Sequence, residues 1–343
     1  MVISFLVITL SIIVLLSYLF FYEDRFLVRR NAIIDLPIHL ISQDLNDLNH
    51  WPKWIPWLIY EPNAKLHFGY NSVGNNAVSP SCLEWQGELI KEGYISIIPA
   101  RSSAHYCHTI IEAEAFFPGE LHFNIELGEQ GSHTLISLQI TGKVPFIQRW
   151  KSSKYLVRAA RDLELALLRL RAHLAQYNAT SLHEYDDPSF ELLSETNMQN
   201  LDAVTRPFVV SDQPMSQKMD QGFHDLILSL GPNNIPSSSS FALYTKADPA
   251  HHYFAGKLGI PIQNLEPCHC HPERIILEGD YLTLRYLGNY QNLALAWHVA
   301  HSAMRLRHQR VDRQRPSVEI FETGPCETTL PKNYVTKIAL PVK

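Results

Sequence analysis

The chain has 343 residues, 46% of them hydrophobic, and a formal net charge of −5 at pH 7. This length is comfortable for two domains, and the composition excludes a disordered or collagen-like chain. The mild charge gives no sign of a nucleic-acid or strongly acidic partner. The cysteines, five in number and widely scattered, do not suggest a disulfide framework and favour a reducing compartment.

The first segment is uncharged from residue 2 to residue 22 and rich in Ile, Leu, Val and Phe. An apolar run of about 20 residues is typical of a transmembrane helix, and the features of a cleaved signal peptide are missing. Basic residues follow the run, so the positive-inside rule places the rest of the chain in the cytoplasm. The sequence thus predicts a single-pass anchor over 1–24 in the inner (cytoplasmic) membrane, with the membrane as a partner and the soluble domains facing the cytoplasm.

The next part of the chain, 31–178, has the pattern of an antiparallel sheet closed by a long helix. Its strand-like runs are bounded by turn residues and cover 64–70, 80–88, 93–100, 105–116, 121–127 and 133–141. From Leu156 to Leu174, apolar residues recur every three or four positions, as in a helix that lies on a sheet. A short helix, a curved sheet and a long closing helix make a helix-grip arrangement.

Three segments in this order, DLNDLNHWPKWIPW (44–57), LEWQGELIKEGYISI (83–97) and ITGKVPFIQRW (140–150), resemble the polyketide cyclase/dehydrase branch of the START-like (SRPBCC) superfamily. The resemblance implies a deep apolar cavity for a hydrophobic molecule between the sheet and the long helix. Glu84 and Trp85 are candidate ligand-binding residues of that cavity. The alternatives are a solvated Glu84 and a Trp85 packed in the core.

A polar stretch rich in turn residues, 179–194, is predicted to be a linker to a second domain over 195–343. That domain has the strand–helix–strand–strand order (βαββ) twice, a weak internal duplication. In the second copy, residues 281–287 alternate as in a half-buried strand. Leu293, Ala296, Trp297 and Ala300 then recur at the spacing of an amphipathic helix.

The stretch 278–304, together with VEIFETGP (318–325) and the ending KIALPV (337–342), resembles the GyrI-like small-molecule-binding domain, also called the bacterial transcription activator effector-binding domain. That family repeats βαββ twice around a groove that holds a ligand. By position in the motif, Glu319 is the acidic ligand-binding candidate. The aromatic candidates are Tyr244, Phe254, Tyr281, Trp297 and Phe321.

In such a groove, aromatic rings stack on a flat or cationic ligand, and a carboxylate supplies the complementary charge. The alternatives are that Trp297 and Phe321 are core residues and that Glu319 points to solvent. Many family members carry an acidic residue where this chain has Lys337. This difference argues against a preference for cations.

No metal site or cofactor is expected. The run Cys268-His269-Cys270-His271 is too closely spaced to surround a tetrahedral ion, and the helical pair His298 and His301 has no third ligand nearby. Nucleotide-binding loops, HExxH and the nucleophile elbow are missing from the sequence. Without a helix-turn-helix segment, nucleic acid is not an expected partner.

The sequence therefore predicts an α+β protein: a transmembrane helix, a helix-grip domain and a duplicated βαββ domain. The favoured function is a membrane-anchored, non-enzymatic binding protein that senses or sequesters small molecules. A hydrophobic ligand would occupy the START-like cavity, and an amphipathic or aromatic ligand the GyrI-like groove. The alternatives are a cyclase/dehydrase or hydrolase that uses a pocket carboxylate such as Glu319 or Glu84, and a structural membrane-associated interaction module.

Overall fold

The computed structural model describes residues 2–21, 23–70, 80–177, 188–196, 198, 200–210, 215–231, 234, 238–248, 253–262, 272–325 and 327–343. The chain divides into two compact units, Met1–Tyr185 and Asp186–Lys343. Each unit is built on one antiparallel sheet with helices. The predicted α+β class, with two antiparallel sheets and a long helix, is confirmed.

The first helix, α1 (Val2–Phe20), ends before the apolar run does. At about 1.5 Å per residue it is about 28 Å long, a little less than the roughly 30 Å hydrocarbon core of a bilayer. In the part of the chain that the structure describes, no helix is long and apolar enough to cross a membrane. The predicted transmembrane anchor over 1–24 is therefore wrong, and the cytoplasmic orientation inferred from it is untested.

The first unit contains a seven-stranded antiparallel sheet, in the order β1-β7-β6-β5-β4-β3-β2. Its strands are β1 (Arg25–Ile34), β2 (Lys65–Gly69), β3 (Cys82–Gln86), β4 (Glu92–Ile97), β5 (Tyr106–Ala113), β6 (Glu120–Gln130) and β7 (His133–Lys143). From β2 onward each strand pairs antiparallel with the next along the chain, as in a meander. The first strand closes the far edge by pairing with β7.

A short helix, α2 (Ile38–Leu45), follows the first strand, and the long helix α3 (Ser152–Ala175) closes the unit by packing on β1 and β7. The apolar stripe of α3 is buried from Ala160 to Leu174, whereas Leu156 at its start is 40% exposed. Between this helix and the sheet lie the buried rings of Trp51, Trp54, Trp57, Trp85, Phe116, Phe117 and Phe123. The indole N–H of Trp57 donates a hydrogen bond to Asp162 of α3 at 3.1 Å, so this core is anchored to the helix.

The second unit contains an eight-stranded antiparallel sheet, in the order β12-β9-β11-β10-β14-β15-β13-β8. Its strands are β8 (Ser189–Thr196), β9 (Leu201–Val210), β10 (Phe241–Asp248), β11 (Tyr253–Pro261), β12 (Pro272–Ile275), β13 (Asp280–Leu287), β14 (Ser317–Thr323) and β15 (Val335–Pro341). The strand β8 lies mostly inside the predicted linker 179–194 but pairs with β13, so the described end of that stretch belongs to the sheet.

Two helices, α4 (Met215–Leu230) and α5 (Leu293–Leu306), complete the two βαββ copies of this unit. The first helix packs on β9 and β11, and the second on β13 and β15. The second strands of the two copies, β10 and β14, pair at the middle of the sheet. Side chains on these central strands that point to the helix side therefore lie where the two copies meet.

Gly93 of β4 provides a test of packing in the first unit. It lies directly across from Trp85, and a Cβ atom added there would be 1.9 Å from the indole ring. We predict that Gly93→Ala lowers the free energy of unfolding by about 1–3 kcal/mol, because the ring must move within a dense core. Urea unfolding followed by tryptophan fluorescence reports on this unit, which holds five of the six tryptophans.

Gly128 of β6 is the matched control, because a Cβ atom there would meet only Leu135, at 3.9 Å. Gly128→Ala should leave stability unchanged or slightly raised, since alanine restricts the unfolded chain more than glycine does. Equal unfolding curves for the two variants would contradict the packing described for Trp85.

Candidate functional site

The carboxylate of Glu319 lies at the middle of the second sheet, on the helix side. In the register of β14 its neighbours are Ala242 of β10 and Ile338 of β15. Its exposed fraction is only 1%, although charged side chains are seldom fully buried. The alternative in which Glu319 faces solvent is therefore excluded by its burial.

Two aromatic side chains satisfy the buried carboxylate. The hydroxyl group of Tyr244, on the adjacent strand β10, donates a hydrogen bond to Oε2 at 2.5 Å. The indole N–H of Trp297, on helix α5, donates to Oε1. In the part of the chain that the structure describes, no lysine or arginine forms an ion pair with Glu319. The carboxylate thus has neutral donors instead of a counter-ion.

Burial without a counter-ion changes the acidity of Glu319. Loss of contact with water raises the pKa of its carboxyl group to about 7, and the hydrogen bonds from Tyr244 and Trp297 offset only part of this increase. Burial, together with the nearby negative charge, also raises the pKa of Tyr244 well above its ordinary value. Tyr244 therefore remains a proton donor, while Glu319 gains or loses its proton close to neutral pH.

Aromatic rings surround this pair. The ring of Tyr244 meets those of Trp297, Phe254 and Phe208 edge-on, with centroids 5.3, 6.4 and 5.8 Å away. Edge-to-face contacts of this kind are favourable between aromatic side chains. Trp297 and Phe254 are partly buried, so each has ring surface toward solvent as well as toward Tyr244. The predicted residues Glu319, Tyr244, Trp297 and Phe254 are therefore brought together.

A second group of rings continues from Phe321, two residues along the same strand. Phe321 meets Phe223 of α4 and Tyr290, with ring centroids 5.8 and 5.7 Å away. Tyr290 in turn contacts Tyr334, at 4.6 Å. Sequence reasoning missed Phe223, Tyr290 and Tyr334. The only signal for Phe223 was its place within an amphipathic helix, whereas the two tyrosines lie in connecting segments that carry no periodicity.

Tyr281 and Lys337 lie on the opposite face of the sheet from Glu319. Tyr281 is buried with Val318 in a separate core, and the guanidinium group of Arg315 lies 5.2 Å from its ring centroid. Lys337 pairs with Ile320, and side chains of successive residues alternate between faces. Tyr281 thus does not join the Glu319 cluster, and the positive charge of Lys337 does not argue against a cationic ligand beside Glu319.

The candidates in the first unit are not brought into one site. Glu84 is exposed on β3, while Trp85 is 2% exposed and contacts Trp57, with ring centroids 6.3 Å apart. The space in which the sequence predicts a deep cavity holds aromatic side chains among the residues described. The run 268–271 lies outside the described residues.

No protein-family model matches the sequence, and no curated protein matches it. Solved structures that are similar to parts of the chain include the EcmrR C-terminal domain, at 12% identity and a TM-score of 0.37, covering 46% of this chain and 98% of that one. EcmrR in its DNA complex matches at 14% identity and a TM-score of 0.37, covering 58% and 71%.

A START superfamily protein from Mycobacterium smegmatis is also similar, at 15% identity and a TM-score of 0.32, covering 44% of this chain and 99% of that one. The fusion of the two folds in one chain remains a prediction. With identities and TM-scores this low, function has to be inferred from the site itself.

The pKa of Glu319 predicts how the stability of the second unit depends on pH. Because the folded state holds the proton up to about pH 7, whereas an ordinary glutamate loses it near 4.5, stability is lost as the pH rises between these values. Glu319→Gln cannot ionise at this position. We predict that, as the pH is raised from 5 to 8, its free energy of unfolding increases by about 2–3 kcal/mol relative to that of the wild type.

Hydrogen exchange of the β14 and β15 amides, compared between variant and wild type at each pH, measures this difference. Glu322→Gln is the control, because Glu322 is exposed on the same strand and pairs with Arg285 at 2.9 Å. The difference in free energy of unfolding between Glu322→Gln and the wild type should change by less than about 1 kcal/mol over the same pH range. A pH-independent difference for Glu319→Gln would contradict the burial of an uncompensated carboxylate.

Proposed function

We propose that the second unit binds a small, flat aromatic molecule that carries a positive charge, with Glu319 as the counter-ion. The observation that supports this proposal is the buried carboxylate, whose hydrogen-bond donors are aromatic side chains and not cations. An isolated buried charge is unfavourable unless it is paired. A cationic ligand would supply the missing charge, so binding and ionisation of Glu319 would favour each other.

The surrounding rings suit the same class of ligand. A cation over the face of a tryptophan or tyrosine is stabilised by about 0.5–2 kcal/mol, and more strongly when water is excluded. Trp297 and Phe254 are partly buried beside Glu319, and Phe321 and Phe223 extend the aromatic surface. Aromatic rings beside one buried negative charge favour a flat aromatic cation over an aliphatic amine. The flat cation can contact more of the ring faces.

A sensing or sequestering role follows from this type of site. The pKa of about 7 for Glu319 makes uptake of a cation sensitive to pH in the neutral range. The hydrophobic ligand expected in the first unit has less support, because the buried tryptophan and phenylalanine rings of its core contact one another. A structural or interaction role suits that packed core better.

A hydrolase that uses Glu319 is the second candidate. A general acid or base is most effective when its pKa is near the working pH, and burial gives Glu319 such a value. A binding protein returns its ligand unchanged, whereas a hydrolase releases a product that chromatography detects. Product that forms with wild-type protein but not with Glu319→Gln would favour the enzyme.

We predict that acridine orange, a flat aromatic cation, binds the second unit and quenches Trp297. The anionic dye anilinonaphthalene sulfonate should bind there at least tenfold more weakly. Glu319→Gln should weaken binding of the cation at least tenfold, because a charge-assisted contact contributes about 1.5–3 kcal/mol. Fluorescence titration measures both dyes, with Glu322→Gln as the control that retains wild-type affinity.

The affinity of the wild type for the cation should be about tenfold lower at pH 6 than at pH 8, because protonation of a group with a pKa of about 7 removes the counter-ion. In Glu319→Gln this pH dependence should disappear. Equal affinities for the cationic and anionic dyes, or full binding by Glu319→Gln, would contradict the proposal.

A further inference from the structure

Three polar side chains from distant parts of the first unit converge at one point. Asp44 is in the last turn of α2, His50 lies in the turn that follows, and His173 is in the last turn of α3. Asp44 and His173 are 129 positions apart in the sequence. Both are buried, with exposed fractions of 2% and 9%, so the fold holds them together inside the protein.

The donor atoms of these residues have the spacing of ligands around one ion. Nδ1 of His50 is 2.7 Å from Oδ1 of Asp44, and Nε2 of His173 is 3.0 Å from the same oxygen. One ligand atom from each residue lies within 4.8 Å of those of the other two. Ligands about 2.0–2.1 Å from a tetrahedral zinc ion lie about 3.3 Å from each other. Small side-chain movements would reach that geometry.

The contact between His50 and Asp44 is not an ordinary hydrogen bond. Although Nδ1 is 2.7 Å from the carboxylate oxygen, the atoms lack the angles of a hydrogen bond, and this buried nitrogen has no other partner among the residues described. Leaving a buried polar atom without a hydrogen bond is costly. A nitrogen close to a carboxylate oxygen but off the line of a hydrogen bond is the arrangement expected of two ligands of a shared ion.

Neighbouring groups orient the ligands as second-shell residues do in metal sites. The hydroxyl group of Tyr177 donates a hydrogen bond to Oδ1 of Asp44 at 2.8 Å. The side-chain amide of Gln176 lies 3.2 Å from Nδ1 of His173. In the structure Nε2 of His173 donates its proton to Asp44; a metal ion would replace that proton, and the Gln176 amide would turn so that its oxygen accepts a proton from Nδ1.

The three residues differ in their exposure to solvent: Asp44 and His173 are buried, whereas His50 is only half-buried. Part of the His50 side chain faces solvent, since 31% of it is exposed. His50 is therefore the ligand nearest the surface, although the donor atoms of all three residues are buried.

We propose that Asp44, His50 and His173 bind one divalent transition-metal ion, with zinc as the best match. Two imidazole nitrogens and one carboxylate oxygen are typical zinc ligands, whereas calcium and magnesium prefer oxygen alone. The ion would join the end of α3 to the turn between α2 and Trp51. No sequence motif revealed this site, because its ligands come from two segments far apart in the chain.

The test uses the full-length chain after removal of metal with EDTA and gel filtration. A competition titration of zinc chloride against a chromogenic chelator gives the stoichiometry and affinity. Cys268→Ser/Cys270→Ser is the background for all measurements, so that thiolates of the Cys-His run do not compete for zinc. We expect one ion per chain in this background, and at least tenfold weaker binding after His50→Gln.

His133→Gln is the matched control, since His133 is an exposed histidine that pairs with Asp35 at 2.8 Å, and it should bind zinc as the background does. Weaker zinc binding by His50→Gln could also follow from a folding defect, so His50→Cys provides a second readout. A thiolate is a good zinc ligand, so His50→Cys should recover binding, and with cobalt it should add a sulfur-to-metal charge-transfer band.

With zinc bound, hydrogen exchange should slow in 44–50 and 171–177 of the background protein and not after His50→Gln. Zinc binding that is unchanged by His50→Gln, or lost completely in the Cys268→Ser/Cys270→Ser background, would overturn the proposal. Failure of His50→Cys to recover binding, together with the loss in His50→Gln, would also overturn it, because the three residues would then form only a hydrogen-bonded cluster.

Discussion

The burial of Glu319 without a counter-ion is the constraint on which the second unit depends. Its position at the middle of the sheet follows from the pairing of β10 with β14, the second strands of the two βαββ copies. Tyr244 reaches the carboxylate from the neighbouring strand and Trp297 from the helix above it. The acidity of Glu319 therefore depends on both the strand pairing and the helix packing. Removing the charge of Glu319 should therefore change both the stability of the second unit and its affinity for a ligand.

Much of this arrangement was predictable because it follows from periodicity. Alternation along 281–287 and helical spacing after Leu293 indicated β13 and α5, and similar patterns indicated α3 and most strands of the first unit. Glu319, Tyr244, Trp297 and Phe254 were expected in one groove from a family resemblance. Tyr281 was assigned to the same groove, but strand alternation places it in a core on the other face of the sheet.

Features that depend on tertiary contacts could not be predicted in this way. Apolar composition alone suggested that residues 1–24 span a membrane, and the structure does not support that span. The family resemblance implied a cavity in the first unit, but the burial of Trp51, Trp54, Trp57 and Trp85 depends on tertiary packing. Asp44, His50 and His173 meet only because α2 and α3 pack in one unit. Local patterns contain no information about such convergence.

The most direct measurement is the protonation state of Glu319 itself. Infrared difference spectra of the wild type minus Glu319→Gln isolate the carbonyl stretch of this carboxylic acid across a pH titration. Our account predicts a protonated carboxyl group that ionises at about pH 7, and that becomes ionised at pH 6 when acridine orange is added. A group already ionised at pH 5, or one whose ionisation the dye does not change, would contradict the central claim.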